Sequence, residues 1–227
     1  MKASPEQAER LHRFAHDLRN RLSSLQQVLA QLNGHATREQ ADLIAFAEQQ
    51  YFKAMLATEK LLDDFAIDRS PKLGAKQPVD LAACIGRAID AQQHRFARKQ
   101  QAVEQSIESG LFAFGDARLL EDLVCALLSN ASKFSHAGRS ISINLRQANG
   151  MAELTVADQG IGLDADDLRH VFTRYALLKG ASTAGEAQGR STLARAKQWA
   201  EAHDGELTAT SNGPHHGSTF TLRLPLA

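Results

Sequence analysis

The first 67 residues show helical periodicity and no strand pattern, and this restricts the N-terminal part of the chain to helices. Apolar residues recur every three or four positions in two runs, from Leu11 to Leu32 and from Ile44 to Phe65. Each run places its apolar side chains along one face of a long helix. The segment NGHAT (33–37) separates the runs and offers a C-capping glycine and an N-capping threonine. We therefore predict two antiparallel helices joined by a short turn.

A single helical hairpin of this kind would leave much of its apolar surface in water. Pairing with a second copy into a four-helix bundle would bury that surface. The first two helices therefore predict a homodimer.

The chain changes character after the second helical run. Residues 69–78 are polar and contain two prolines and a glycine, which is typical of a linker. Beyond them, alternating strand patterns are interleaved with helical ones. This pattern indicates helices at 81–98, 116–134, 164–172 and 190–203, and strands at 102–107, 140–147, 151–158, 205–211 and 218–226. We predict three parts: a helical hairpin over 1–68, a linker over 69–78, and over 79–227 an α+β sandwich with a mixed sheet and helices on one face.

Composition excludes several classes of function. The 26 basic and 26 acidic residues give a net charge of +0, so no overall field attracts nucleic acid or an anionic membrane. No apolar run approaches the roughly 20 residues of a membrane span, and the N-terminus lacks the apolar segment of a secretory signal. The two cysteines fit buried positions in a reducing compartment. We expect a cytoplasmic protein.

Two motifs in the second half could hold a nucleotide. DQGIG (158–162) follows a strand directly, so its glycines permit a tight turn and its aspartate can accept a hydrogen bond from a base amino group. One helix carries Asn130 and Lys133 three residues apart, on the same face. An amide oxygen can bind magnesium, and a lysine can contact a phosphate.

The first helix contains the motif HDLRN (16–20). His16 lies off the apolar stripe, so it is either a nucleophile that accepts a phosphoryl group or one polar residue on a solvated face. A neutral imidazole nitrogen is a good nucleophile near neutral pH. Metal-ligand spacing with cysteine or carboxylate partners is absent at five other histidines: His35, His94, His136, His215 and His216.

The order of these motifs resembles the core of bacterial sensor histidine kinases. The hairpin resembles their dimerisation and histidine phosphotransfer domain, and the second half resembles their ATP-binding domain, shared with DNA gyrase B and a heat-shock chaperone. In the helical hairpin, the resemblance implies that His16 is the phosphoacceptor. Asp17 would act as a base or orient the imidazole, and Asn20 would position a water during dephosphorylation of the partner.

The resemblance also implies a nucleotide site for ATP and Mg²⁺ in the second half. Asn130 would bind the metal, Lys133 would contact a phosphate or the nucleotide, and Asp158 would bind adenine. The remaining matches are the pocket glycines Gly160 and Gly162, the aromatic residues Phe172 and Tyr175 beside a predicted lid at 178–189, and Gly217 and Thr219 of the last motif. The implied partner is the receiver domain of a response regulator.

Two departures from the family pattern affect the nucleotide site. Ala126 stands one turn before Asn130, where the family usually has a second asparagine. The second glycine motif reads QGRSTL (188–193), with side chains at the three usual glycine positions. Those side chains should crowd a backbone approach to phosphates, although Arg190 could supply a phosphate contact instead.

Two hypotheses follow, with a purely structural helical dimer as a third that the HDLRN motif disfavours. The first is an active kinase that phosphorylates His16 from ATP and passes the phosphoryl group to the regulator, with ATP handling that the two departures could weaken. The second is a non-catalytic phosphotransfer or phosphatase adaptor with a vestigial ATP domain. Because the histidine helix begins within about the first ten residues, we expect the signal to come from a separate sensor protein or from a longer chain.

Overall fold

The computed structural model of the 227-residue chain divides into two compact units. One is Met1–Arg69 with Arg174–Leu177, and the other is Ser70–Thr173 with Leu178–Ala227. The structure describes residues 7, 9, 11, 13–15, 17–18, 22, 24–25, 28, 32, 37, 40, 43–44, 46–47, 49–51, 53–55, 57–58, 73–174, 176, 178, 180, 183 and 191–227.

The described residues of the first unit between 7 and 58 are all helical except Thr37. Tyr51 and Met55 form a small apolar cluster, and Leu22 packs against them. Ala15 and Ile44 are also buried. The break at Thr37 and the contact between Leu22 and the second run agree with two helices joined by a turn.

Several large apolar side chains of this unit point into solvent. Each of them is at least half exposed, and they are Phe14, Leu25, Val28, Leu32, Leu43 and Phe46. Residues 14, 25, 28 and 32 fall within one narrow sector of a helix of 3.6 residues per turn. The single chain therefore leaves an apolar stripe uncovered along its first helical run.

The second unit is a sandwich of a mixed sheet and helices. Its strands are β1 (Gln77–Asp80), β2 (Ala102–Ile107), β3 (Phe112–Gly115), β4 (Ser140–Ala148), β5 (Met151–Asp158), β6 (Glu206–Thr210) and β7 (Thr219–Pro225). Its helices are α1 (Leu81–Arg98), α2 (Ala117–Phe134), α3 (Ala165–His170) and α4 (Thr192–Ala202). The predicted elements are present, with ends shifted by a few residues at most.

Five strands form the main sheet in the order β2-β4-β5-β7-β6. β2 pairs with β4 in parallel and the other neighbours are antiparallel, as expected for a mixed sheet. Alternate residues of β4, namely Ile141, Ile143 and Leu145, are buried against the helices, while the intervening side chains are polar. One core made by α1, α2, α4 and this face of the sheet therefore supports the site.

The prediction missed β1 and β3, which form a separate antiparallel pair. Both strands have four residues, too short for an alternating pattern to stand out. β1 begins at Gln77 and takes up the last two residues of the predicted linker. Among the helices that the structure describes, none combines the length and the apolar character needed to cross a membrane.

Candidate nucleotide site

The site is built on α2, whose sequence sets both its start and its inward face. Asp116 caps the helix by accepting hydrogen bonds from the backbone N–H groups of Arg118 and Leu119. The helix ends at Phe134. Asn130 and Lys133 lie in its last turns and are half-buried. Their spacing places both side chains on the same side of the helix, as the sequence predicts.

Ala126, one turn before Asn130, is only 7% exposed and belongs to the apolar core. Alanine offers no oxygen ligand at this position. If the last turns of α2 contribute a metal ligand, Asn130 can provide one through its amide oxygen.

Asp158 is the last residue of β5, and its carboxylate is buried, with 8% of the residue exposed. Oδ1 accepts a hydrogen bond from the backbone N–H of Gly160 (2.9 Å) and another from that of Ser218 (3.3 Å). Within the part of the chain that the structure describes, Oδ2 has no hydrogen-bond partner. One oxygen thus fixes the carboxylate to the backbone, while the other can accept a bond from a ligand.

Burial raises the pKa of Asp158 to about 6, and the two backbone N–H groups only partly oppose this rise. The group is therefore mostly ionised at neutral pH and mostly protonated well below pH 6. A buried carboxylate with a free acceptor atom suits a ligand that brings its own hydrogen-bond donor.

The turn after Asp158 is attached to the end of α2. Ile161 donates its backbone N–H to the carbonyl oxygen of Phe134 at 3.1 Å, and Gly160 forms an isolated antiparallel bridge with Ser135. A side chain at Gly160 would collide with the Phe134 carbonyl and would bring its Cβ within 2.7 Å of the Asp158 carboxylate. Glycine is therefore needed at 160 because the helix end and the carboxylate both approach it closely.

The loop before β7 closes the other side of this turn. Gly217 donates its N–H to the carbonyl of Gly160 at 3.1 Å, and His215 donates to that of Ile161 at 2.6 Å. Gly162 and Gly217 have φ values of 69° and 68°, in the region that favours glycine. The sequence motifs DQGIG and HGS therefore meet in space, although some 55 residues of chain separate them.

The other described residues of the predicted site lie around this turn. Thr219 begins β7 and pairs with Ala157, next to Asp158. Phe172 makes an edge-to-face contact with Phe220, with ring centroids 6.3 Å apart. The Nζ atom of Lys197 lies 5.1 Å from the centre of the Phe172 ring. Phe172 is therefore half-buried against the apolar core, beside Phe220 at the start of β7.

Several predicted residues lie outside the described part of the chain, and the structure gives no account of them. They are His16, Asn20, Tyr175 and Arg190, together with Gln188 and Gly189 of the altered glycine motif. Asp17, the neighbour of His16, is described, and it is helical and exposed.

Sequence reasoning missed the residues that hold the loops together. Ser211 accepts the N–H of Leu163 at 3.0 Å, and its hydroxyl lies 2.6 Å from the carbonyl of Gly217. Lys99 and Thr183 contact the end of α2. A serine after a strand and a lysine in the basic segment RKQQ carry no local signal of such a role. Thr183 lies in the stretch that the sequence predicts as a lid.

The comparison with known protein families decides the nature of this domain. Residues 115–227 match the family described as histidine kinase-, DNA gyrase B-, and HSP90-like ATPase. This part of the chain is an ATPase domain of that family. It contains α2, the Asp158 turn and the loop before β7, and its match confirms the ATP-binding domain predicted from the motifs.

Curated relatives extend the resemblance beyond the ATPase domain. The sensor-like histidine kinase SenX3 of Mycolicibacterium smegmatis is 32% identical over 158 residues, which cover 70% of this chain and 40% of the relative. The signal transduction histidine-protein kinase BaeS of Escherichia coli is 27% identical over 217 residues, which cover 94% of this chain and 45% of the relative. The chain therefore spans less than half the length of these two relatives.

Solved structures agree with the fold. A mycobacterial sensor histidine kinase, MprB, superposes with a TM-score of 0.59 at 26% identity, covering 66% of this chain and 98% of that one. Full-length ShkA in complex with AMPPNP superposes with a TM-score of 0.63 at 19% identity, covering 96% of this chain and 46% of that one. Together, the ATPase domain and the relatives confirm the resemblance to sensor histidine kinases.

Proposed function

We propose that this chain is the kinase core of a two-component signalling protein. In this proposal the second unit binds ATP, the γ-phosphoryl group passes to an imidazole nitrogen of His16, and ADP leaves. The phosphoryl group then moves from His16 to an aspartate carboxylate of a response regulator receiver domain. Because ATP is the phosphoryl donor, we propose the cytoplasm as the compartment of this reaction.

The observation that carries the proposal is the buried carboxylate of Asp158 within the matched ATPase domain. Its Oδ1 is engaged by two backbone N–H groups, whereas Oδ2 is free to accept a bond from the adenine amino group. Gly160, Gly162 and Gly217 let three backbone segments meet at this point. The relative ShkA, whose structure contains AMPPNP, supports ATP as the ligand.

We propose that Asn130 and Lys133 serve the phosphates of the bound nucleotide. A single amide oxygen fits Mg²⁺, which usually takes one or two protein ligands together with phosphate oxygens and waters. The bound ion would neutralise charge on the transferred phosphoryl group. Lys133 is half-buried, and its Nζ lies 5.4 Å from the centre of the Phe134 ring, which leaves its charge near the same end of α2.

We propose that residues 1–68 form the dimerisation and phosphotransfer hairpin, that 69–78 join it to the ATP-binding domain over 79–227, and that two hairpins form a four-helix bundle. The support is the exposed stripe of Phe14, Leu25, Val28 and Leu32, whose side chains are 51–58% exposed in the single chain. Apolar side chains in one continuous stripe are stabilised when a partner removes them from water. A second copy of the hairpin offers the same stripe.

A second candidate, favoured by Ala126, is an adaptor that relays or removes phosphoryl groups without using ATP. The buried methyl group of Ala126 stands where a second ligand of the metal ion could be. A weaker metal site would slow phosphoryl transfer from ATP. In this case His16 would still exchange phosphoryl groups with the receiver domain, and Asn20 would position the water that hydrolyses the phosphoryl group of the partner. The two candidates differ only in the ATP step.

The test is to incubate the purified chain with magnesium and ATP labelled on the γ-phosphate, beside a His16→Gln variant. A kinase should acquire acid-labile, alkali-stable label on the wild-type chain alone. Label that persists on His16→Gln would refute the assignment of the phosphoacceptor. Absence of label from both proteins, while a phosphorylated receiver domain still exchanges phosphoryl groups with the wild-type chain, would favour the adaptor.

A further inference from the structure

A buried lysine that the sequence did not single out contacts the end of α2. Lys99 follows α1, and only 5% of it is exposed. Its Nζ donates hydrogen bonds to the carbonyl oxygens of Ser132 (2.9 Å) and Lys133 (3.0 Å), and the carbonyl of Ser135 lies at 3.3 Å. The last carbonyls of a helix lack intrahelical partners and carry the negative end of its dipole. A positive charge is therefore stabilised at this position.

The same ammonium group connects a distant residue to the helix end. Lys99 Nζ donates to Oγ1 of Thr183 at 2.8 Å. The hydroxyl of Thr183 lies 2.7 Å from the carbonyl oxygen of Ser135, and its backbone N–H donates to that of Lys133 at 3.2 Å. Thr183 belongs to the stretch that the sequence predicts as a lid. Lys99, Thr183 and the last turn of α2 therefore form one hydrogen-bonded group.

Capping the helix does not by itself require Lys99. Gln101, which is 8% exposed, donates from Nε2 to the carbonyls of Ser132 (3.1 Å) and His136 (3.3 Å), and its Oε1 accepts from the Ser132 hydroxyl. An uncharged side chain thus already serves this helix end. What Lys99 adds is a positive charge, a bond to the carbonyl of Lys133 and the bond to Thr183.

The helix end held in this way is the one that holds the Asp158 turn. The carbonyls bound by Lys99 flank Phe134, whose own carbonyl accepts the N–H of Ile161. Ser135, bound through its carbonyl, forms the bridge with Gly160. A shift of the last turn of α2 would therefore move the residues that fix the Asp158 carboxylate.

We propose that Lys99 and Thr183 are positioning residues for nucleotide binding. Lys99 joins residue 183 to the end of α2, and this junction keeps the turn after Asp158 in the shape that accepts adenine. The inference rests on the proposed nucleotide site and adds two residues to it, and both act through the end of α2 without touching the nucleotide. The position of Lys133 also depends on Lys99, because Lys99 Nζ donates a hydrogen bond to the Lys133 carbonyl.

The test compares the full chain with Thr183→Val, Thr183→Ser, Lys99→Met and Gln101→Met. Calorimetry measures affinity for a non-hydrolysable ATP analogue with magnesium, thermal unfolding monitors folding, and amide exchange reports on the Ile161 N–H. Valine keeps the shape of threonine but removes the hydroxyl, so we expect about tenfold weaker binding and faster Ile161 exchange. Serine keeps the hydroxyl and should restore wild-type affinity. Lys99→Met, where it folds, should match Thr183→Val.

Gln101→Met is the matched control, because it loses bonds to the same helix end without touching Thr183. It should lower the thermal midpoint while keeping most of the affinity. Equal affinities for Thr183→Val and Thr183→Ser would overturn the inference, as would an affinity loss in Gln101→Met as large as that in Thr183→Val. A wild-type chain that fails to bind the analogue would overturn the proposed function itself, so the two failures are distinguishable.

Discussion

Replacing Asp158 with asparagine should stabilise the nucleotide-free protein and weaken its binding of nucleotide. The pKa of this buried carboxyl rises from its ordinary value of 3.8 to about 6. Because the rise means that folding favours the neutral form, ionised Asp158 costs the folded protein roughly 3 kcal/mol at pH 7. Asparagine is uncharged and nearly the same size, so the variant should recover up to about 3 kcal/mol of unfolding free energy.

The pH dependence follows from the direction of the shift. The folded pKa lies above the unfolded one, so the stabilisation that comes from binding the proton is complete below about 3.8 and is lost as the pH rises through about 6. The wild-type chain and Asp158→Asn should therefore be similarly stable near pH 4 and diverge up to pH 7. Urea unfolding at a series of pH values measures this difference directly.

Nucleotide binding should change in the opposite direction. In the Asp158→Asn variant, the side-chain oxygen of the new amide would occupy the position of Oδ1, since two backbone N–H groups donate there. The NH₂ group of the amide would then take the place of Oδ2. Both this group and the adenine amino group donate hydrogen bonds, so no bond could form between them. Removing the acceptor from a buried polar contact should weaken binding by at least tenfold. In the wild-type chain, affinity should likewise fall as the pH drops below 6.

Asp204→Asn is the matched control, because it makes the same chemical change at a side chain that is 81% exposed. Its unfolding free energy should change by no more than about 0.5 kcal/mol. The roles assigned to this carboxylate would be contradicted by an Asp158→Asn chain that is less stable than wild type at pH 7, or by one that binds the ATP analogue as tightly as wild type.

Three further substitutions test other parts of the structure. Gly217→Ala should lower the free energy of unfolding by more than about 2 kcal/mol, because residue 217 has a positive φ and its new Cβ would collide with the Asp158 carbonyl. Gly110 also has a positive φ but open space around it, so Gly110→Ala should cost about 1 kcal/mol. Thermal unfolding measures both changes. Glu153→Gln should cost roughly 1–2 kcal/mol at pH 7. Arg146 and Arg223 donate hydrogen bonds to the Glu153 carboxylate and lower its pKa. In the wild-type chain, the stability that these bonds give should therefore be lost as the pH falls through the lowered pKa. Urea unfolding at pH values between 7 and 3 measures this loss. Leu25→Glu, which puts a charge into the exposed apolar stripe, should give a monomer in sedimentation. Gln50→Glu, at an exposed polar side chain of the second helical run, should leave a dimer. A dimeric Leu25→Glu would contradict the proposed bundle.

Much of the fold was predictable because long helices and strands have a recognisable periodicity of apolar residues. The alternation of β4 and β5 and the stripe of α2 identified these elements to within a residue or two. β1 and β3 were missed because four residues carry too little pattern and their pairing joins segments more than 30 residues apart. In the candidate site, Asp158 and Asn130 were proposed from motifs whose chemistry is local. Lys99 was not found, because its partners are backbone carbonyls of a distant helix.

The order of residues along the chain specifies which chemical groups are available: a histidine beside an aspartate, an asparagine and a lysine on one helix face, and an aspartate before two glycines. These features depend on residue type and short spacing, and both are readable along the chain. The behaviour of those groups depends on the folded structure, which local sequence patterns do not reveal. Burial, a property of the packed sheet and helices, raises the pKa of Asp158, and two backbone N–H groups, one from a loop 60 residues away, select which of its oxygens stays open to a ligand.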